Sequence, residues 1–226
     1  ERLVGKTADG IPLEPLYREP DIHTATDISG MPGAAPFVRG GREGGWRVRQ
    51  SFAHPDIERT NAEILADLQG GVSAIELVID PNGNDGVAIK NARDFDVALA
   101  NVILEAAPVS LDLRMSGELQ TAHAALLRDK LKGVAVAGTA FNLDPIGAWT
   151  RGDDGQDGLY LASYFTALHC RDLPKARFLR CDARIVHEAG GSEAQEIAYA
   201  LHSGILYLRE LEARALDIEH SANAIS

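Results

Sequence analysis

Basic residues are in short supply in this chain. Its 22 lysines and arginines face 33 aspartates and glutamates, giving a formal net charge of -11 and a pI near 5.0. No Lys/Arg cluster stands out against that background, which argues against a surface that tracks nucleic-acid phosphates. Cysteine is scarcer still. Cys170 and Cys181 have neither zinc-like CxxC spacing nor the density of a secreted disulfide scaffold, so two core thiols in a reducing cytoplasm are expected. No apolar run reaches the roughly 18 residues of a membrane span, and the first residues show no charged-then-apolar leader pattern. Nucleotide-binding glycine signatures are missing too: no GxGxxG follows the first predicted strand and no GxxxxGK(S/T) occurs anywhere. What remains is a chain of 226 residues, 45% hydrophobic and 24% charged, able to bury one sizeable core.

Residues 1–45 differ from the rest. "GIPLEPLYREPD" and "SGMPGAAPFVRGGREGGW" concentrate proline and glycine without strand or helix periodicity, and predict an extended N-terminal arm. Residues 46–226 alternate. "WRVRQSF", "VSAIELVI", "PVSLDLRM", "GVAVAGTAF" and "KARFLRCDARIV" read as strands. After the first, a helix opens at His54-Pro55 with Ile57, Ile64, Leu65 and Leu68 on one face; "NARDFDVALANVILEA", "SGELQTAHAALLRDKL" and "GLYLASYFTALHC" are the next three. A last helix starts at Ser192, capped by that hydroxyl and Gln195, with Ile197, Leu201, Ile205 and Leu208 as its expected buried stripe. Strands alternating with helices imply parallel pairing through right-handed crossovers, hence an α/β fold. A whole (β/α)8 barrel takes about 250 residues, whereas about 180 here hold five βα units, so a partial TIM-type barrel is expected. "SANAIS" reads as the opening of a sixth strand. The missing strands are expected on a longer chain or from another polypeptide that covers the apolar edges.

In a parallel barrel, functional groups collect at the C-terminal strand ends, which selects Asp80, Arg114, Thr139, Asn142, Asp144, His187 and Glu188. His187 beside Glu188 has the chemistry of a general base or a metal ligand, yet no second histidine stands at HxH or HExxH spacing. A strand-end histidine held by a hydrogen bond, and a carboxylate favoured by a helix dipole, explain the same residues without function. "SLDLRM" sets Ser110, Asp112 and Arg114 on one strand face, and "FLRCDAR" does the same for Arg180, Asp182 and Arg184. Neighbouring strands could pair these charges, an arrangement more often structural than catalytic. "DIHTAT", residues 21–26, begins like a D-x-H-x-x-G cobalamin motif but has Thr26 in place of the glycine and lies in the arm; it is read as chance.

These segments together resemble the adenosylcobalamin-dependent methylmalonyl-CoA mutase family over nearly the whole chain. "ADGIPLEPLY" is similar to the family's N-terminal extension, "PFVRGG" with "WRVRQSF" to its Tyr-x-Arg-Gly and Trp-x-x-Arg-Gln segments, and "AGTAFNLDPIGAWTRG" to its Gly-Thr-x-x-Asn segment. The most specific match is "HEAGGSEAQEIAYALHSGILYLR", which resembles the family's Glu-Ala-Gly-x-x-x-x-Gln-Glu helix start. The resemblance implies a CoA-binding barrel, a separate cobalamin-binding Rossmann domain that this chain does not include, and a radical rearrangement between methylmalonyl-CoA and succinyl-CoA. Aligned through Glu188-Ala189-Gly190, Arg184 and Ile185 stand where the catalytic chain has Tyr-His, and His187 stands where it has arginine. Ile185 cannot donate the hydrogen bond that the family histidine gives to the thioester carbonyl. Asn84 replaces a radical-shielding tyrosine, Phe141 a substrate-facing glutamine, and "GREGG" shortens a CoA-lining insert. Thr139 and Arg151 fall on a family threonine and a substrate-carboxylate arginine.

That pattern is most like the small, non-catalytic subunit of heterodimeric bacterial mutases. It implies a partner in the large catalytic subunit, or self-association through exposed barrel edges, with no nucleic acid or membrane. Adenosylcobalamin is expected at the level of the family or the complex, and none bound by this chain. Two alternatives remain open: an active acyl-CoA mutase variant using Arg151 and His187 with cobalamin supplied elsewhere, and an unrelated TIM-barrel enzyme working through His187 and Glu188.

Overall fold

The computed structural model describes residues 3–18, 31, 33–35, 46–134, 137–152 and 156–226. It divides into two units, Glu1–Arg47 and Val48–Ser226. In the first, β1 (Gly5–Lys6) pairs antiparallel with β2 (Pro12–Leu13). Gly10 turns this hairpin at φ +81, and the Thr7 hydroxyl accepts from the Ile11 N–H. The "DIHTAT" segment lies outside the described residues.

The second unit holds a five-stranded parallel sheet in the order β3 (Arg49–Phe52), β4 (Ala74–Ile79), β5 (Val109–Leu113), β6 (Ala140–Leu143), β7 (Arg177–Leu179). The sequential order follows from the crossover helices α1 (Ile57–Gln69), α2 (Ala92–Ala98), α3 (Gly117–Lys130) and α5 (Gln156–His169). This is part of a TIM-type barrel, and the described strands do not close into one. Register sets Ile75, Leu77 and Ile79 beside Val109, Leu111 and Leu113 on the helix side, and Glu76 and Val78 beside Ser110 and Asp112 on the other. The helix side is the core: Ile64, Phe95, Leu127 and Phe165 of the helices cover it, all buried. Phe141 belongs to this layer, stacked on Phe178 at 4.9 Å and edge-on to Phe165 at 5.6 Å. The opposite face is polar, and there the Ser51 hydroxyl donates to Glu76.

Local capping explains most helix starts. Asp56 accepts from the Arg59 N–H at 3.0 Å, Asn91 and Asp94 form a capping box, and so do Ser192 and Gln195 at the head of α7 (Glu193–Glu212). Elsewhere the structure departs from the sequence expectation. The second helix stops at Ala98 instead of running to 106, because Asn101 takes a left-handed φ of 62 that no helix continues through. A short helix, α4 (Pro145–Thr150), follows β6, with Asp144 as its cap and proline at its start. The expected strand "KARFLRCDARIV" is strand only at Arg177–Leu179. Asp182 then accepts the Arg184 N–H in an Asx turn and the chain enters α6 (Arg184–Glu188). "SANAIS" is mostly the end of α8 (Ile218–Ala224), and only Ile225 bridges Leu179 in parallel.

The largest departure concerns α7. Ile197, Leu201 and Ile205 are exposed, Leu201 to 64%, and the buried row is Ser203, Tyr207 and Leu211. Two rows at i, i+4 spacing compete for the core, and the Tyr207 hydroxyl, bonded to Asp144 at 3.0 Å, selects the second. No helix of the described residues is long and apolar enough to cross a membrane.

Candidate functional site

A cavity of about 500 Å³ opens at the C-terminal ends of β5, β6 and β7. This is where a parallel barrel gathers side chains that its strands cannot bury. Its walls carry four arginines (Arg114, Arg151, Arg180, Arg184) and four carboxylates (Asp112, Asp144, Asp182, Glu188), with Met115, Ser116, Asn142 and Ile185 between them.

Most of this charge is already spent on itself. Arg180 Nη2 lies 3.1 Å from Asp112 and 3.0 Å from Asp182, while Arg184 forks onto Asp182 through Nε at 2.9 Å and Nη2 at 2.5 Å. Arg184 also reaches Asp112 at 3.4 Å. Burial pushes the Asp112 carboxyl upward, but the Arg180 and Arg184 guanidiniums outweigh it and hold the group below the usual carboxylate range. Asp182 behaves likewise, its burial overcome by the Arg184 hydrogen bonds and the Arg180 charge. Arg184 is in turn made a still weaker acid, chiefly by its bond to Asp182. These four residues, with Arg114 Nη2 3.9 Å from Asp112 as a fifth, form an ion network that ties β5 to the β7–α6 turn.

Asp144 is different. Its Oδ1 accepts from the Gly147 N–H at 2.9 Å and from the Tyr207 hydroxyl at 3.0 Å, while Oδ2 is buried without a hydrogen-bond partner among the described residues. Burial raises its pKa against those two donors and the Arg151 and Arg180 charges. The same desolvation, with Asp144 alongside, raises Tyr207 well above an ordinary tyrosine and Cys181 to about 11. A Cβ on Gly147 would collide with Asp144 Oδ2, so glycine is the residue that fits beneath this carboxyl. Gln120 of α3 completes the arrangement by accepting the Asp144 N–H at 2.8 Å.

The structure brings some of the sequence candidates together and separates others. Arg114, Asn142, Asp144, Arg151, Arg184, Ile185 and Glu188 line the cavity. Asn142 holds a φ of 52 there and donates to the Leu111 carbonyl at 2.8 Å, a non-glycine left-handed residue at the candidate site. Asp80, Thr139, Asn84 and His187 are not among the lining residues. Asp80 is consumed by its own loop, accepting the N–H groups of Asn82, Asn84 and Asp85 at 2.9 to 3.2 Å; the Asn82 bond leads in lowering its pKa. Asn84 is exposed in that loop. Thr139 precedes β6, so it is buried at the end of the sheet opposite the cavity. Phe141 is turned into the sheet–helix core. His187 does not end a strand but lies on α6, exposed, with Nδ1 2.7 Å from Glu196 of α7, a bond that raises its pKa. Sequence reasoning passed over Ser116, Gln120 and Tyr207. Ser116 was legible as the cap position after a strand, whereas nothing in the local pattern pointed Tyr207 at Asp144.

The methylmalonyl-CoA mutase family model matches residues 6–226. This chain belongs to the methylmalonyl-CoA mutase family. A "Methylmalonyl-CoA mutase small subunit" of Streptomyces virginiae is 36% identical over 97% of the chain and 35% of the relative's length. The protein of the same name from Propionibacterium freudenreichii subsp. shermanii is 32% identical over 93% of the chain and 32% of its own length. A "Methylmalonyl-CoA mutase" of Cereibacter sphaeroides is 27% identical over the whole chain and 36% of its own length. The chain thus spans about a third of the length of the curated relatives it matches, and it is most like the small subunits of this isomerase family. The family is generally cobalamin-dependent. The cavity does not fit a cobalt ligand set, because arginines and their paired carboxylates line it and no histidine does. No cluster of three or more His, Cys, Asp or Glu suited to a metal occurs among the described residues.

Proposed function

We propose that this chain is the N-terminal barrel portion, residues 46–226 behind an arm of 1–45, of a mutase small subunit. It is catalytically silent by itself and acts in the cytoplasm by pairing with the large catalytic subunit. One observation carries the silence. At the positions of the catalytic Tyr-His pair, Arg184 is bound up with Asp182 and Asp112, and Ile185 lines the cavity with no hydrogen to donate. The small-subunit relatives support the pairing. Purified chain supplied with methylmalonyl-CoA and adenosylcobalamin is expected to give no succinyl-CoA, while forming a complex with the large subunit. Turnover by the chain alone would overturn the reading.

A second reading, an acyl-CoA site active with cobalamin from elsewhere, is favoured by Arg151. This arginine caps the C-terminus of α4, is exposed at the cavity wall, and has no ion pair among the described residues. Calorimetry with CoA esters separates the two: micromolar binding abolished by Arg151→Ala supports an acyl-CoA site, and absence of heat supports the scaffold.

A further inference from the structure

The outer helix surfaces of the second unit are not alike. On α1 the outward residues include Glu58, Arg59, Glu63 and Asp67, with Arg59 and Glu63 paired at 2.9 Å, as befits a solvated face. On α5 no charged residue occurs after Asp157, and the outward row at i, i+4, i+8 is Tyr160, Tyr164 and Leu168, each more than half exposed. The two tyrosine rings lie parallel to within 9° at 6.3 Å, and the Arg214 guanidinium sits 4.9 Å over the Tyr160 ring. Because α5 contacts both α3 and α7, its neighbours in the helical layer are already in place, and this row looks away from the sheet. The apolar row on α7 differs. α7 is the long helix that follows β7, the last strand in the sheet order, so the next βα unit of a barrel would add beside it, and its exposure does not by itself call for a second protein.

We propose that the Tyr160–Tyr164–Leu168 face of α5 is the apolar centre of the surface that docks the large mutase subunit. This rests on the small-subunit reading above and adds the face to it. Two tyrosines and a leucine at these exposures offer on the order of 300 Å². A standard interface buries about 800 Å² on each side around a smaller, fully dried centre. Rigid aromatic rings are the residues that such centres enrich, and charge is what they deplete. The net charge of -11 disfavours a second copy of this chain as the occupant. The fitting partner is a different protein with an apolar patch of its own.

The test measures affinity of the purified 226-residue chain for the large subunit by calorimetry, alongside light scattering and thermal melts of the chain alone. Tyr164→Arg, at the middle of the row, is expected to weaken binding by tenfold or more with an unchanged melt, and Glu63→Arg on α1 to bind as the parent does. Tyr164→Ala adds no charge and gives the same direction should the arginine variant fold poorly. Equal affinity for parent and both Tyr164 variants overturns the docking face while leaving the small-subunit reading intact. A parent chain that does not bind the large subunit overturns both. A parent dimer dissolved by Tyr164→Arg makes a second copy the occupant and also overturns the proposal.

Discussion

Asp112 and Asp144 stand on neighbouring strand ends, line one cavity and are both nearly inaccessible, yet their ionisation moves in opposite directions. Burial opposes the charged form of each. At Asp112 two guanidiniums in direct contact reverse that penalty, whereas at Asp144 a tyrosine hydroxyl, one N–H and the charges of Arg151 and Arg180 do not. The balance between burial and contacting guanidiniums decides which way each carboxylate of the cavity shifts. The cavity is therefore half an ion network and half a reluctant acid supported by α4 and α7.

The most disruptive way to break this contrast is Asp112→Ala. It leaves Arg180, itself mostly buried, with only Asp182, and is expected to cost about 3 kcal/mol of unfolding free energy in urea titrations. Gly147→Ala attacks the other half. The added methyl drives into the Asp144 carboxyl, at a cost of about 2 kcal/mol in the same assay. Tyr207→Phe is milder, about 1 kcal/mol, because Gly147 still serves Asp144 Oδ1.

The smallest effects are those of pH, and their signs differ. Asp112 has a folded pKa below its unfolded value near 3.8, so its contribution is present above that pH and lost as the pH falls through the folded value. Asp144 has a folded pKa above the same reference, so its contribution is present below it and lost as the pH rises through the folded value. Urea midpoints across the acid range should therefore show Asp112→Asn flattening the loss of stability on acidification. Asp144→Asn should instead remove a loss on the way back up. Equal slopes for the two variants would contradict the assignment.

Much of the fold was legible because its signals are local. The alternation of β-branched runs with amphipathic segments and the Ser192/Gln195 box rest on short stretches of consecutive residues. The charges at 180, 182 and 184 were legible as partners for Asp112, although the strand meant to align them ends at Leu179. A turn and a short helix bring them together instead. His187 shows the reverse. A histidine after an apolar run looked like a strand-end group at the mouth, and that same turn carried it out to Glu196. On α7 the more hydrophobic row was the natural choice for the core, and it faces outward.

The amino-acid sequence by itself determined the parallel βα order and the family, since these rest on residue identity and short-range periodicity. Only the tertiary structure decided which row of α7 enters the core, which carboxylate of the cavity resists ionisation, and where His187 lies. The first turns on the bond that joins Asp144 to Tyr207 across 63 residues, and the second on the burial of Asp144, which outweighs that bond. A hydrogen bond of that reach is set by packing geometry, which no local pattern records.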